Sequence, residues 1–436
     1  MKISKLHIDQ FRHLENLEFD FTYPEDFHIE EKRGKPLDKI CFIGQSATGK
    51  TGLLDFIYKC NLNALNALLI GGKLFSRLES FMSNMNGEVE FIIKNEKYRQ
   101  KKDCIYYKGV EYKHTPKISG LTNELISSSD KKDVVFFKAN LISDKNLEIF
   151  TKSPIDLIEK HGSQLSEIEI DFQSREKYGI LFDDNANLEI WLFLLMEILN
   201  YRKDFTQKIS ELIHGIKTGS EEYLKLGSKV QKWQQENPNK LQSFAEKINP
   251  ILEKLNLEVD LVNTEYSIPI KNKKTEEIIS IENTSTGTKG LLLSLFPLFQ
   301  LNTIDSIILI DEPERSLYPD MQMDLMDTYQ KLAPDAQFII ATHSPFVAAS
   351  FEPDERFILY FDNEGKVAVR RGSSPIGDDP NDMLKNDFGV NYYNKHGEEA
   401  YQKYISLKQE MATETDPKRK KELLLEIVKL GDTYNF

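Results

Sequence analysis

The chain has 436 residues, 40% of them hydrophobic and 29% charged, which is enough apolar material for one large domain or two of ordinary size. Its formal net charge of -13 excludes a generally basic coat of the kind that phosphate contacts require. Three scattered cysteines, Cys41, Cys60 and Cys104, exclude a disulfide framework and form no CxxC pair, which fits a reducing compartment.

From Lys2 to Phe21 the apolar residues Ile3, Leu6, Ile8, Phe11, Leu14, Leu17, Phe19 and Phe21 alternate closely enough to predict two strands. Polar residues break the opening at every second or third place, so no export signal is expected. Ile40 to Ile43 predicts a short buried strand that runs into Gly44-Gln-Ser-Ala-Thr-Gly-Lys-Thr51, after which Leu53, Leu54, Ile57 and Tyr58 recur at helical spacing. Between Gly87 and Tyr112, short β-rich pieces separated by polar or Gly turns predict an antiparallel meander. Asn187 to Asn256 reads as helical, most clearly at Phe244, Ile248, Ile251, Leu252 and Leu255. Breaks at Gly219 and Asn237-Pro238 predict short helices and no long coiled-coil arm. The most apolar stretch, Leu188 to Leu199, contains Glu189 and Glu197 and is shorter than the roughly 20 residues of a membrane span, so a cytoplasmic protein is expected. After Pro269 the pattern returns to strand, loop, helix, strand through Phe338 to Ala341. The polar tail from Arg371 ends in two amphipathic segments split by Asp416-Pro417.

Gly44, Gln45, Ser46, Ala47, Thr48, Gly49, Lys50 and Thr51 fit the phosphate-binding pattern GxxxxGK[ST], in the strand-to-helix setting that it requires. Glycines let successive backbone N–H groups turn toward phosphate oxygens, and the helix N-terminus adds positive potential. Lys50 is placed for the β and γ phosphates and the Thr51 hydroxyl for Mg²⁺, so ATP and Mg²⁺ are the expected ligands. An ordinary Gly-containing turn would not need this context. Ile307 to Ile310 is an apolar strand that delivers Asp311 and Glu312 at its carboxyl end, where ligands sit in α/β sheets. Asp311 is expected to hold the metal and Glu312 to activate the attacking water. Alone such a pair is usually a solvated turn; beside a phosphate loop it reads as a Walker B motif.

Together these motifs resemble the soluble branch of ABC-type ATPases that includes the RecF, SMC and Rad50 proteins. Asn283-Thr-Ser-Thr-Gly-Thr-Lys289 is similar to an ABC signature, with Ser285 and Gly287 in the matching places, just before an apolar helix and upstream of Walker B. The resemblance implies that these residues face a γ-phosphate held by another subunit, so that ATP binds between two copies. Asp311-Glu-Pro-Glu-Arg-Ser-Leu-Tyr-Pro319 is similar to the DEPE segment and D-loop of the group, and His343 in Phe338-Ile-Ile-Ala-Thr-His-Ser-Pro345 to its switch histidine. Arg12 is the basic landmark of an N-terminal strand like those of RecF and SMC heads, and is implied to contact nucleotide. A Ser-His-Asp hydrolase is the other reading of His343, but no nucleophile elbow accompanies it. The chain departs from the group in lacking Leu-Ser-Gly-Gly-Gln and a Q-loop glutamine, for which Asn140 in Phe136-Phe-Lys-Ala-Asn140 is the candidate. These departures bear on the speed and partner-dependence of hydrolysis rather than on nucleotide binding.

The expected architecture is an α/β ABC-type head with a mixed sheet, an antiparallel β subdomain, a helical insertion and a C-terminal helical appendage. The expected boundaries are an N-terminal lobe over 1–186, the insertion over 187–260, a C-terminal lobe over 261–370 and the appendage over 371–436. Basic runs at Lys94 to Lys102, Lys271 to Lys274 and Lys418 to Lys421 are candidate nucleic-acid contacts, although such runs are usually solvated turns. Asp378-Asp-Pro-Asn-Asp382 reads as a loop or helix cap rather than a metal cluster. Within the group, the compact size and the Gly377 to Gly389 segment look most like the ATPase of Septu-type anti-phage systems, which implies an effector nuclease as partner. A RecF-like DNA-repair ATPase, an OLD-type nuclease and a transporter ATPase are the alternatives. The OLD reading lacks a Toprim pattern after His343, and the transporter reading conflicts with the DEPE wording and the wide spacing of phosphate loop and signature.

Overall fold

The computed structural model describes residues 1–69, 86–93, 95–101, 104–107, 109–113, 132–161, 179–220, 222–263, 265–390 and 395–434. Its strands are β1 (Lys2–Phe11), β2 (Leu14–Asp20), β3 (Lys39–Gly44), β4 (Asn86–Ile93), β5 (Glu96–Lys101), β6 (Cys104–Tyr107), β7 (Val110–Lys113), β8 (Val134–Phe137), β9 (Gly179–Phe182), β10 (Leu257–Val259), β11 (Ile270–Asn272), β12 (Ile278–Ile279), β13 (Ile307–Asp311), β14 (Gln337–Ala341), β15 (Arg356–Phe361) and β16 (Val367–Arg371). The first sheet has seven strands in the order β16-β15-β3-β14-β13-β8-β9, with only the β15–β16 pair antiparallel. The second sheet is six-stranded and antiparallel, in the order β2-β1-β4-β5-β6-β7, and joins the two N-terminal strands to the meander. Strands β10 to β12 make a small antiparallel third sheet.

Parallel strands buried on both faces read as continuous apolar runs, and β3, β8, β13 and β14 are buried at nearly every position. One core serves both large sheets: Ile3, Leu6, Phe19 and Phe21 of the antiparallel sheet pack with Phe42, Leu309 and Ile339 of the seven-stranded one. The aromatic contacts Phe19–Phe42 and Phe21–Phe357, with centroids 5.7 and 5.0 Å apart, bind the layers. Helix α1 (Lys50–Leu69) contributes Leu53, Leu54, Phe56 and Ile57 to the same core.

Two short helices, α2 (Asp144–Thr151) and α3 (Pro154–His161), lead toward β9. The helical region then opens with one 31-residue helix, α4 (Leu188–Thr218), rather than the short helices expected. Its only glycine, Gly215, lies in the last turn, and the chain turns out at Gly219, whose φ of 77° supplies the left-handed cap. Helix α5 (Leu226–Glu236) ends at Asn237, and α6 (Lys240–Leu252) buries Phe244, Ile248, Ile251 and Leu252 as the spacing predicts.

Helix α7 (Thr286–Gln300) precedes β13; α8 (Pro319–Met323) and α9 (Leu325–Leu332) precede β14; α10 (Pro345–Ala348) follows it. The chain divides into two compact units, Met1–Gly377 and Asp378–Phe436, and Val367–Arg371 is an edge strand of the first. In the second unit, α11 (Pro380–Asn386) is capped by Asp379, whose side chain accepts from Asn381 N, so the acidic run serves as a cap. Helices α12 (Lys395–Thr413) and α13 (Pro417–Tyr434) pack on each other through Leu407, Leu423 and Ile427, flanked by Tyr404, Met411 and Leu430. The two apolar stripes read from the sequence are thus largely covered by one another, while Leu424 stays 49% exposed.

Six described members of the basic runs pair with acids. Lys97 pairs with Glu90, Arg99 and Lys101 with Glu88, Lys271 with Glu258, Asp260 and Glu276, Lys273 with Glu253, and Arg419 with Glu410 and Glu422. Lys94 and Lys102 lie outside the described residues.

Candidate functional site

The parallel register of β3, β14 and β13 sets Asp311 beside Ala341, and Ala341 beside Phe42, so three strands end on one edge. The segment after each end carries chemistry. After β3 the chain enters Gln45 to Gly49 and then α1; after β14 it reaches His343; at the end of β13 stand Asp311 and Glu312. Because β14 lies between β3 and β13, its end points between phosphate loop and acidic pair.

The loop folds as its residues dictate. Gly44 sits at φ 144°, and a Cβ there would lie 2.0 Å from Leu359 O on the neighbouring strand, so only glycine fits. Ala47 (φ 67°) and Gly49 (φ 91°) also take positive φ, the kind of backbone turn from which anion-binding nests are built. The Thr48 hydroxyl donates to Gln45 O at 2.8 Å and closes the turn, and Lys50 Nζ donates to Gly44 O at 2.8 Å and Gln45 O at 3.1 Å. Burial lowers the Lys50 pKa, opposed by the carboxylates of Asp311, Glu312 and Glu314.

Across the cavity, the Thr51 hydroxyl donates to Asp311 Oδ1 at 3.2 Å. Asp311 is buried, and desolvation raises its pKa to about 6, with the Thr51 hydrogen bond lowering it and Glu312 adding to the rise. Glu312 holds a φ of 50°, and its backbone N–H donates to Ala341 O at 2.9 Å, which ties the acidic turn to the end of β14. A side chain in the left-handed region persists only where its surroundings hold it. Burial and then the Lys50 cation lower the His343 pKa, so its ring is neutral near pH 7.

These residues enclose one cavity of 410 Å³, lined by His13, Ser46, Ala47, Gly49, Lys50, Thr51, Asp311, Glu312, Ala341 and His343. The hydroxyl and the buried carboxylate are hard oxygen donors already in contact, the set that Mg²⁺ takes alongside water and phosphate oxygens. The residues present fit that ion, and Thr51 and Asp311 would hold it.

Ser285, Gly287, Arg12 and Asn140 lie outside that lining. Ser285 caps α7, its hydroxyl accepting from Thr288 N at 3.1 Å, and is exposed. A Cβ on Gly287 would stand 2.4 Å from Ser316 O, so the helix start rests directly on the segment after the acidic pair. Arg12 Nη2 lies 3.7 Å from Asp55 Oδ2 on α1, and Lys138 Nζ 3.4 Å from the other oxygen of that carboxylate. Asn140 is exposed, beyond the end of β8.

Two residues of the site escaped the sequence reading. His13 lines the cavity, its Nε2 lying 2.9 Å from where a Cβ on Gly49 would be; the signal available was its place directly after Arg12. Glu314, the third acid of Asp311-Glu-Pro-Glu314, accepts from the His343 backbone N–H at 2.7 Å. Burial raises its pKa, which no sequence pattern announces.

A family model described as an AAA ATPase domain matches residues 1–348. Several solved structures are similar. An SMC head bound to the C-winged helix domain of ScpA shares 14% identity at a TM-score of 0.41, covering 86% of this chain and 98% of that one. An SMC head domain from Thermotoga maritima shares 11% identity at a TM-score of 0.40, covering 86% and 100%. An SMC head with an extended coiled coil, bound to the C-terminal domain of ScpA and derived from Pyrococcus furiosus, shares 17% at a TM-score of 0.38, covering 85% and 96%. No curated protein sequence matches the chain. Among the described residues no helix is long and apolar enough to cross a membrane.

Proposed function

We propose that this chain, which belongs to the AAA ATPase domain family, binds ATP with Mg²⁺ in the 410 Å³ cavity and hydrolyses it to ADP and phosphate. The observation that carries the reading is the convergence of Lys50, Thr51, Asp311, Glu312 and His343, from three separate strand ends, on that one cavity. Lys50 and the backbone N–H groups of Gln45 to Gly49 hold the phosphates. Thr51 and Asp311 hold Mg²⁺, which when bound neutralises charge on the β and γ oxygens. Glu312 orients the attacking water and takes its proton, and neutral His343 offers a ring N–H toward the γ-phosphate. Phosphate release by the purified chain with Mg²⁺ and ATP tests this: turnover that EDTA abolishes is expected, and nucleotide binding with no release of phosphate would limit the chain to binding.

Ser285 and Gly287 act, in this reading, on nucleotide held by a second copy, so that ATP pairs two heads. Their place outside the cavity of their own chain supports that reading, because they serve no phosphate there. Arg12, beside Asp55 and next in sequence to His13, is available to the nucleotide once that carboxylate has a cation of its own in Lys138. The output of the cycle is control of an effector, a nuclease of an anti-phage system of the Septu kind. This rests on the family resemblance and is tested by co-purification with the product of the adjacent gene. Direct nucleic-acid binding is the weaker reading, because Lys97, Arg99, Lys101, Lys271, Lys273 and Arg419 of the basic runs pair with acids.

A further inference from the structure

We infer that Gln322 is a positioning residue for His343, locking the loop that carries this histidine to the segment that follows the acidic pair. The inference rests on the reading of the cavity as an ATP-hydrolysing site that uses His343.

Thr342 to Ser344 is an irregular connection between β14 and the four-residue helix α10, so no sheet or helix ladder holds His343 in place. Side chains do it instead. Glu314 Oε1 accepts from His343 N at 2.7 Å, and Thr342 Oγ1 accepts from Ser344 N at 2.9 Å. The buried Ser344 hydroxyl accepts from Phe346 N and Val347 N, both at 3.1 Å, and so caps α10. With its lone pairs occupied it has one proton to give, and it gives it to Gln322 Oε1 at 2.5 Å.

The other end of the Gln322 amide reaches the opposite way: Nε2 donates to Leu317 O at 2.7 Å. A backbone carbonyl can only accept, so the NH₂ must face Leu317 and the oxygen must face Ser344; a flipped amide would set oxygen against oxygen. One side chain therefore bridges two loops, and neither end can be exchanged. Leu317 belongs to the turn on which α7 rests, since a Cβ on Gly287 would lie 2.4 Å from Ser316 O and 2.9 Å from Leu317 Cδ2. A displacement of the Ser316–Leu317 turn, whether from α7 or from a partner, is passed through Gln322 to Ser344 and so to its neighbour His343.

The test compares wild type, Gln322→Leu, His343→Ala and the double variant in the full chain, by steady-state ATPase rate and by ATP affinity. Positional errors in a catalytic loop slow turnover without loosening the substrate, so Gln322→Leu is expected to lower kcat about 10-fold and leave ATP affinity within about 2-fold. In the His343→Ala background it should cost nothing further, because both changes remove the same contribution. Gln322→Glu keeps the acceptor for Ser344 and loses the donor to Leu317; it supplies the same comparison should the Leu variant fold poorly, and a similar drop in kcat is expected. Wild-type kcat in both variants, or a loss that adds in full to that of His343→Ala, would overturn the inference while leaving the ATPase reading intact. Wild-type turnover in His343→Ala would instead remove the role of His343, and the inference with it.

Discussion

The Thr51 hydroxyl donates to Asp311 Oδ1 at 3.2 Å, joining two residues 260 positions apart in the sequence. The contact pins the start of α1 to the end of β13 and holds together the two oxygens proposed as Mg²⁺ ligands. Desolvation keeps the Asp311 carboxyl near a pKa of about 6 against 3.8 in a model peptide. Since the folded-state value is the higher one, protonation of Asp311 favours the fold below pH about 4, and that contribution is lost as the pH rises through about 6. In the absence of nucleotide and metal, Asp311→Asn should therefore melt a few degrees above wild type at neutral pH and near it in acid. Mg²⁺ with ATP should raise the melting temperature of wild type but much less that of the variant. A variant less stable than wild type at neutral pH would contradict the burial argument.

Lys50 has no substitute in the cavity, and its ammonium is already aimed along the phosphate loop by Gly44 O and Gln45 O. Lys50→Ala should weaken ATP binding at least about 100-fold, because the charge-assisted contacts to the β and γ phosphates go with it. A buried cation is removed in the same change, so the melting temperature of the nucleotide-free protein should not fall. Calorimetric titration with ATP checks the affinity, and an unchanged value would remove the phosphate-loop assignment.

Gly287→Ala probes the contact between α7 and the turn after the acidic pair. The new Cβ would lie 2.4 Å from a backbone oxygen, which cannot swing aside as a side-chain tip can, so the helix start must move. A loss of about 1–3 kcal/mol in stability is expected from such overpacking. Turnover should fall more than ATP affinity, since Gly287 does not line the cavity of its own chain. Denaturant titration and steady-state rates measure both, and wild-type values in each would show that the turn yields freely.

The hairpin of α12 and α13 carries its own small core, with Leu423 fully buried and Leu407 and Ile427 nearly so. Leu423→Ala should cost about 2–5 kcal/mol of the hairpin's stability. Truncation within the hairpin, before Pro417, would leave Tyr404, Leu407 and Met411 uncovered and invite aggregation. Removal of the whole unit from Asp378 onward should leave ATP binding by residues 1–377 unchanged, which calorimetry on that fragment reports. Loss of binding in the fragment would mean that the C-terminal unit takes part in the site.

The parts of the site legible in the sequence were those where chemistry restricts residue type over a short span. Gly44 to Thr51 needs glycine at positive φ, a lysine and a hydroxyl at fixed spacing; Asp311 and Glu312 follow the β-branched run Ile307-Ile-Leu-Ile310, which reads as a strand beside the phosphate loop. The seven-stranded sheet was harder to read. Val134-Val-Phe-Phe137 and Gly179-Ile-Leu-Phe182 are short runs without a period, indistinguishable in sequence from pieces of buried helix, yet both are strands of that sheet. Strands β15 and β16 carry no motif that marks them in the sequence, although β15 lies directly against the phosphate-loop strand and its Leu359 explains Gly44. Helix α4 runs unbroken to Gly219, the first break read from the sequence, so its 31 residues exceed the short helices expected there. His13 and Glu314 depend on contacts between distant segments, which no spacing rule carries.

Whether this cavity hydrolyses ATP with Glu312 acting on the water is decided by the rate of phosphate release from Glu312→Gln measured beside its affinity for ATP. Glutamine keeps the shape and the left-handed turn but cannot take a proton. ATP affinity within about 3-fold of wild type and a rate at least about 100-fold lower are expected, so that ATP stays bound, consistent with the size of a general-base contribution. Phosphate release at the wild-type rate would contradict that role of Glu312.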